Sequence, residues 1–301
     1  MIDPLAKTNL DPLLDALAGH ELIMHGADYD LRLFRKHSEF VPRAIFDTML
    51  AERLLGEWQF GLSSLAEKFL GVKLDKASQK ADWARRPLTE RMETYARNDT
   101  HHLKPLSDKL KLELQNKNRL GWHQESCARL IMECSRPPIV DADSVWRVKG
   151  SHALNRHALA VMRELWQWRE TEAIAANRPP FFILSHEKMV ELAEAAVGRA
   201  IEPLLPTRMS PRRRDTLVAA IRAGLALPHD QHPEKVRHHS TRPTETETRR
   251  YRELERCRNA QAHKLGIDPT LIAPRATLGD LARDWDKHAP ELMDWQRELM
   301  K

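Results

Sequence analysis

Glu21-Leu22-Ile23-Met24-His25-Gly26-Ala27-Asp28-Tyr29-Asp30-Leu31 is the stretch on which the fold turns. A compact apolar run over 21–25 is bounded by a glycine, and acidic residues follow it at once. Such a run reads as a buried strand rather than a helix, because it is too short for a helix and is punctuated on both sides. Tyr29 to Lys36 then has helical spacing, and Arg43-Ala44-Ile45-Phe46-Asp47, after Pro42, reads as a second, weaker strand. Strand, helix and strand with short connections predict an α/β unit. Upstream, Leu13 to Ala18 reads as a short helix after Asp11-Pro12, ending at Gly19.

Downstream of this unit the pattern is helical. Leu62, Leu65, Ala66, Phe69 and Leu70 keep a three- and four-residue rhythm closed by Gly71, and Thr89 is placed to cap a helix carrying Met92, Tyr95, Ala96, Asp99 and Leu103. Pro105 predicts a kink or break nearby. Pro137-Pro138 and the polar residues 141–144 mark a linker. A second helical block runs from Asn155 to about Leu227, with interruptions at Arg178-Pro179-Pro180 and between Pro203 and Pro211. The segment 228–248, rich in Pro, His, Thr and charge, reads as a flexible linker. Two amphipathic helices around Pro274 complete the chain.

The bulk composition fits this outline. The 301 residues are 42% hydrophobic with only 11 glycines, enough for two or three domains in which helices dominate. No apolar run approaches the roughly 18 residues that span a bilayer, and the opening Met-Ile-Asp-Pro-Leu-Ala has no basic leader or apolar stretch of the kind that directs secretion. Cys127, Cys134 and Cys257 are odd in number and widely spaced, which argues against a disulfide framework or zinc site and fits a reducing cytoplasm. The net charge of +5 permits nucleic-acid binding without requiring it.

Tyr95 and Asp99 stand at i and i+4, on one helix face. Alone that pair reads as a surface hydrogen bond. With Asp30 just beyond the strand end, a different chemistry opens. Two carboxylates, one past a strand and one on a later helix, can converge on a hard divalent cation. Two such cations would clamp the attacking and leaving oxygens of a phosphodiester, one of them lowering the pKa of bound water, which is two-metal-ion hydrolysis. Tyr95 would orient that water.

The same residues carry a resemblance. His25 to Leu31 resembles the second motif of the DEDD 3′→5′ exonucleases, and Tyr95 to Asp99 resembles their third, tyrosine-type motif. Ile45-Phe46-Asp47-Thr48, Phe60 to Ala66, Gly71 to Lys76, Asp82-Trp83 and Arg86-Pro87-Leu88 continue the pattern of the ribonuclease D family in its order. Trp146 to Gly150, Leu165 to Glu170, Arg178-Pro179-Pro180 and Leu184-Ser185 are similar to the helicase-and-ribonuclease-D C-terminal (HRDC) domain. Pro274 to Ala276 and Trp295 to Arg297 resemble a second, degenerate copy.

The resemblance implies an α/β exonuclease domain of the ribonuclease-H-like type, shortened at its N-terminus, followed by all-α HRDC-type domains. The boundaries expected are 1–118 for the exonuclease domain, 119–147 for a connecting helix and linker, 148–227 for the HRDC domain and 249–301 for the degenerate copy. It also implies Mg²⁺ or Mn²⁺ held by Asp30 and Asp99, with Tyr95 positioning the attacking water. The partner implied is RNA, chiefly transfer-RNA precursors, with DNA as another open to it. Lys76 stands where the family has a basic residue, a contact for backbone phosphate. Arg208, Arg212, Arg213 and Arg214, before an apolar helix, read either as a phosphate-binding patch or as a solvated helix start.

The family's first motif, Asp-x-Glu, is absent: Asp3, Asp11, Asp15, Glu21 and Asp28 precede Asp30 without forming it. The match starts with Ile2-Asp3-Pro4-Leu5, which resembles the end of the family's third strand, so the reading favours a polypeptide that starts downstream of that motif. Weak or absent activity is expected of it, with Leu22, Ile23 and Ile45 exposed where strands are lacking. A non-catalytic nucleic-acid-binding protein is the alternative.

Overall fold

The computed structural model describes residues 2–6, 8–75, 77–137, 141, 143–198, 200–236 and 243–301. They form two compact units, one of Met1–Pro137 with Arg242–Lys301 and one of Pro138–Thr241.

In the first unit, α1 (Asp11–Ala18) leads into β1 (Glu21–Met24), α2 (Asp28–Ser38), β2 (Ala44–Asp47) and α3 (Thr48–Leu55). The strands pair in parallel, Glu21 opposite Ala44 through Met24 opposite Asp47, as a strand–helix–strand connection requires. Two strands of four residues form a marginal sheet; the helices packed on it bury its apolar side chains. Ile45 is buried with Ala27, Leu31, Cys127 and Cys134, while Leu22 and Ile23 are half-buried. Ile45 is therefore covered and the other two are partly so, because α7 (Leu120–Ser135) packs on β2 and the helix over Leu103–Asn116 packs on β1.

Four helical segments follow α3: α4 (Leu62–Leu65), prolonged by a wide turn over Ala66–Leu70, then α5 (Glu90–His101), α6 (Leu103–Asn116) and α7. Thr89 caps α5 by accepting from the Met92 N–H at 3.3 Å. Pro105 lies in the first turn of α6, where no N–H is needed; the chain breaks just before it, between α5 and α6.

The sequence reading separates 249–301 as its own domain, yet this segment shares a core with the first. Phe46, Leu54, Leu65, Leu106 and Leu110 are buried in one cluster with Ile272, Leu278 and Trp295. α12 (Glu245–Leu265) supplies part of the contact. The remainder comes from α13 (Pro269–Ile272), α14 (Arg275–Arg283), α15 (Trp285–His288) and α16 (Asp294–Leu299). The join is backbone-close. Gly56, with φ of 95°, caps α3, and a Cβ there would lie 2.1 Å from the Gly266 carbonyl oxygen. Arg119 spans the seam, donating to the Leu54 and Leu265 carbonyls, each at 2.6 Å.

The second unit holds α8 (Arg156–Ala176), α9 (Pro180–Ile183), α10 (His186–Ala196) and α11 (Pro211–Ala226) around Trp146, Leu159, Leu165, Met189 and Leu217. Trp168 is buried and donates to the Thr216 hydroxyl at 3.0 Å, while Trp166 is half-buried. The segment expected to be a flexible linker is ordered where it is described. His232 is buried, stacks on His157 at 4.7 Å and bonds the Leu227 carbonyl. At the other end a Thr244–Glu247 capping box starts α12. Of the expected linker, residues 237–242 lie outside the described residues.

Glu52, on α3, is 2% exposed and its Oε2 has no hydrogen-bond partner among the described residues. Burial, helped by the charge of Glu57 and opposed by Lys68, pushes its carboxyl from 4.5 up to about 7. The folded state therefore holds a proton that the unfolded chain releases, and stability falls as pH rises between those values. Glu52→Gln is expected to remove this loss. Chemical denaturation should show a gain on the order of 2 kcal/mol at pH 8 and none below pH 4.5; parallel pH profiles for the two proteins would contradict it.

Candidate active site

The C-terminal end of β1, the start of α4, the loop after it and the α5 face enclose a cleft of about 510 Å³. β1 contributes Ile23 and Met24 to the wall, and His25 follows directly after it; α2 contributes Asp30; α5 contributes Tyr95, Asp99 and Thr100. Leu62, Leu74 and Leu103 form an apolar side, and the Ser63 hydroxyl donates to the Leu74 carbonyl at 3.3 Å, joining two of its walls. Asp30, Tyr95 and Asp99, separated by 65 and 4 residues in the chain, thus meet in one cavity.

Both carboxylates reach solvent, yet each sits where ionisation is disfavoured. The protein around Asp30 strips hydration and raises its pKa, and the negative charge of Asp47 adds to this. Desolvation also raises Asp99, and the neighbouring Tyr95 hydroxyl offsets part of the effect. Tyr95 itself is raised, first by desolvation and then by the Asp99 charge. Its phenol therefore keeps its proton at neutral pH and can give a hydrogen bond. Trp83 lies against the Tyr95 ring, centroids 5.8 Å apart. The loop bearing Trp83 is pinned by Arg86, which holds both Asp3 oxygens at 2.6 Å and the Trp83 carbonyl at 2.9 Å.

Three of the other acidic residues near the N-terminus have basic partners. Asp3 is held by Arg86, Asp28 by Arg32 at 3.0 Å and Glu21 by Lys111 at 2.6 Å. Asp75 lines the cleft as well, a position the sequence reading does not single out, but it is engaged by Arg91 at 3.0 Å and by the Ala77 N–H. Among the described residues no group of three or more His, Cys, Asp and Glu side chains is placed to hold a metal ion. Asp30 and Asp99 are the two cleft carboxylates without a cationic partner among the described ion pairs. Two such hard oxygen donors suit a Mg²⁺ or Mn²⁺ whose remaining positions are water and phosphate oxygens.

Lys76 falls outside the described residues. The arginines around Ser210-Pro211 are not one free patch. Buried Glu172 binds Arg212 at 3.1 Å and Arg213 at 3.0 Å, engaging two of the four arginines and offsetting one of their four charges. Arg208 and Arg214 are exposed and have no ion pair among the described residues. Nothing in the sequence marks Glu172 as their partner, since it lies 40 residues before Arg212 on another helix.

A 3′-5′ exonuclease family model matches residues 1–115, and an HRDC domain model matches residues 158–198. Ribonuclease D of Pseudomonas paraeruginosa is 30% identical over 313 aligned residues, covering 100% of this chain and 82% of the relative. Ribonuclease D of Desulfotalea psychrophila is 28% identical, with 100% and 82% covered. The crystal structure of Escherichia coli RNase D, described as an exoribonuclease involved in structured RNA processing, is 25% identical. It superimposes with a TM-score of 0.72, covering 99% of this chain and 82% of that one.

An ultraviolet difference titration of the chain against Tyr95→Phe isolates one of three tyrosines. The Tyr95 phenol is expected to ionise above the ordinary tyrosine range, and Asp99→Asn to lower its midpoint. A midpoint indifferent to Asp99→Asn would break the link between the two side chains.

Proposed function

The chain belongs to the ribonuclease D family of 3′→5′ exoribonucleases, and on that premise we propose that its cleft receives the 3′-terminal phosphodiester of an RNA and hydrolyses it. The observation that carries this reading is the convergence of Asp30, Tyr95 and Asp99 on one cavity with an apolar side. Transfer-RNA precursors and other structured RNA ends are the substrates proposed, and Mg²⁺ or Mn²⁺ the ion.

Each residue then has a task. Asp30 and Asp99 hold the ion, which when bound supplies positive charge at the phosphate and a more acidic water. Their raised pKa values match a site whose carboxylates lack cationic side-chain partners. Tyr95, protonated and braced by Trp83, orients the attacking water towards phosphorus. Leu62, Leu74 and Leu103 offer a dry surface to the terminal nucleotide, and the ribose and base pack there while the phosphate lies towards the acidic side. With two such carboxylates among the described residues, transition-state charge is less fully matched than a four-carboxylate site would allow, so slow hydrolysis is proposed for this polypeptide.

The second unit supplies sequence-independent affinity. Arg208 and Arg214 are proposed to contact phosphate, whereas Arg212 and Arg213 are occupied by Glu172.

Release from 3′-labelled RNA with Mn²⁺ tests the chemistry. The label is expected to appear as mononucleotide, at a rate that Asp99→Ala or Asp30→Ala lowers at least 100-fold. Release indifferent to both, or internal cleavage, would end the reading. In salt titrations of RNA binding, the double substitution Arg208→Ala/Arg214→Ala should flatten the logarithmic slope by about 1 to 2. Arg212→Ala should change it less; equal effects would remove the assignment.

A further inference from the structure

We infer that Asp47 is a positioning residue for this site, acting through the β1–α2 turn that delivers Asp30. The inference rests on the reading of Asp30 as a metal ligand. Asp47 ends β2, is 1% exposed, and touches neither the cleft nor a cationic side chain among the described ion pairs. Its carboxylate is nevertheless fully engaged by backbone. Oδ1 accepts from the N–H groups of Met49 at 2.8 Å and Leu50 at 3.2 Å, the first turn of α3, and from that of Gly26 at 3.1 Å. Oδ2 accepts from the Ala27 N–H at 2.7 Å.

Helix capping accounts for two of these bonds and leaves two unexplained. Gly26 and Ala27 belong to the turn between β1 and α2, about 20 residues away in the chain. Gly26 has φ of 69°, a conformation that side chains resist, and this turns two successive N–H groups towards one carboxylate. Ala27 is fully buried and is the residue from which α2 starts. Asp30 is three residues further on, so fixing Ala27 fixes the first turn of the helix that carries Asp30. The next residue reinforces the same turn. Thr48 donates to the Met24 carbonyl at 3.1 Å, and its hydroxyl meets His25 Nδ1 at 3.0 Å.

The geometry also supplies a selective probe. In Asp47→Asn the remaining oxygen is best placed at Oδ1, where three donors converge. The new amide nitrogen then faces the Ala27 N–H, donor against donor. The α3 cap and the Gly26 bond at Oδ1 survive, and the Ala27 bond, the direct tie to the start of α2, is lost. Groups that orient a metal ligand in this way characteristically carry 10- to 100-fold in metal affinity when removed.

Three measurements on the full chain decide the matter. In the unsubstituted protein without metal, the Gly26 and Ala27 amides are expected to exchange with solvent as slowly as those of β2; exchange at free-turn rates overturns the inference, whether or not any variant folds. Binding of Mn²⁺ alone, followed by electron paramagnetic resonance, should weaken at least 10-fold in Asp47→Asn. It should be unchanged in Ile272→Val, a core substitution elsewhere in the same unit, so that loss of stability does not explain the effect. Equal Mn²⁺ affinity for Asp47→Asn and the unsubstituted chain overturns the inference. Asp30→Asn separates the two levels. If it too binds Mn²⁺ unchanged, the site reading falls and takes the inference with it; if it alone weakens binding, only the role of Asp47 is lost.

Discussion

A buried carboxylate satisfied by four backbone N–H groups holds the catalytic half of this molecule together. The β1–β2 pair is only four residues long on each side, too short to fix the turns at its C-terminal end by ladder hydrogen bonds alone. Asp47 does so by charge-assisted bonds to the start of α3 and to the β1–α2 turn at once. Such bonds are roughly twice as strong as neutral ones, and the low polarity of the surroundings strengthens them further. His123, from α7, bonds the Asp47 carbonyl at 2.9 Å, so a third element closes on the same residue. Everything the cleft offers on the strand side follows from this arrangement, because Met24, His25 and Asp30 all belong to segments that it anchors.

A second tie explains why the closing segment belongs to the nuclease unit. Helix C-termini present unpaired carbonyls and partial negative charge. Those of α3 and α12 meet where Gly56 and Gly266 allow their backbones to touch. Arg119, 6% exposed, donates to a carbonyl of each, and Lys117 donates to the Leu55 carbonyl at 3.0 Å. A cation serving two helix ends is a more specific contact than the apolar burial around it. It gives residues 242–301 a defined seat on α3, the helix that Asp47 caps.

Much of this was legible in the residues themselves. The alternation from apolar run to helical spacing over 21–47 placed both strands to within a residue, since local pattern dominates there. Asp30, Tyr95 and Asp99 were legible as a group because the motif spacing of the ribonuclease D family brackets them. Other features depend on partners distant in sequence and leave no local sign. Asp47 reads as the end of a strand until Gly26 and Ala27 are seen to point at it. The arginines at 208–214 read as one cluster until Glu172 claims two of them. The Pro- and His-rich stretch at 228–236 reads as a linker by composition, whereas His232 is held by stacking on His157. The shared core of 1–137 and 242–301 was hidden for the same reason: amphipathic helices declare an apolar face but not the surface it covers.

Whether Asp30 and Asp99 serve one divalent ion is tested most directly by crystals grown with Mn²⁺ and a nucleoside 5′-monophosphate. Anomalous scattering should place one Mn²⁺ in the cleft, with a carboxylate oxygen of each residue about 2.2 Å away and a phosphate oxygen completing the sphere. A Mn²⁺ bound elsewhere, or one in the cleft that leaves either carboxylate uncoordinated, would contradict it.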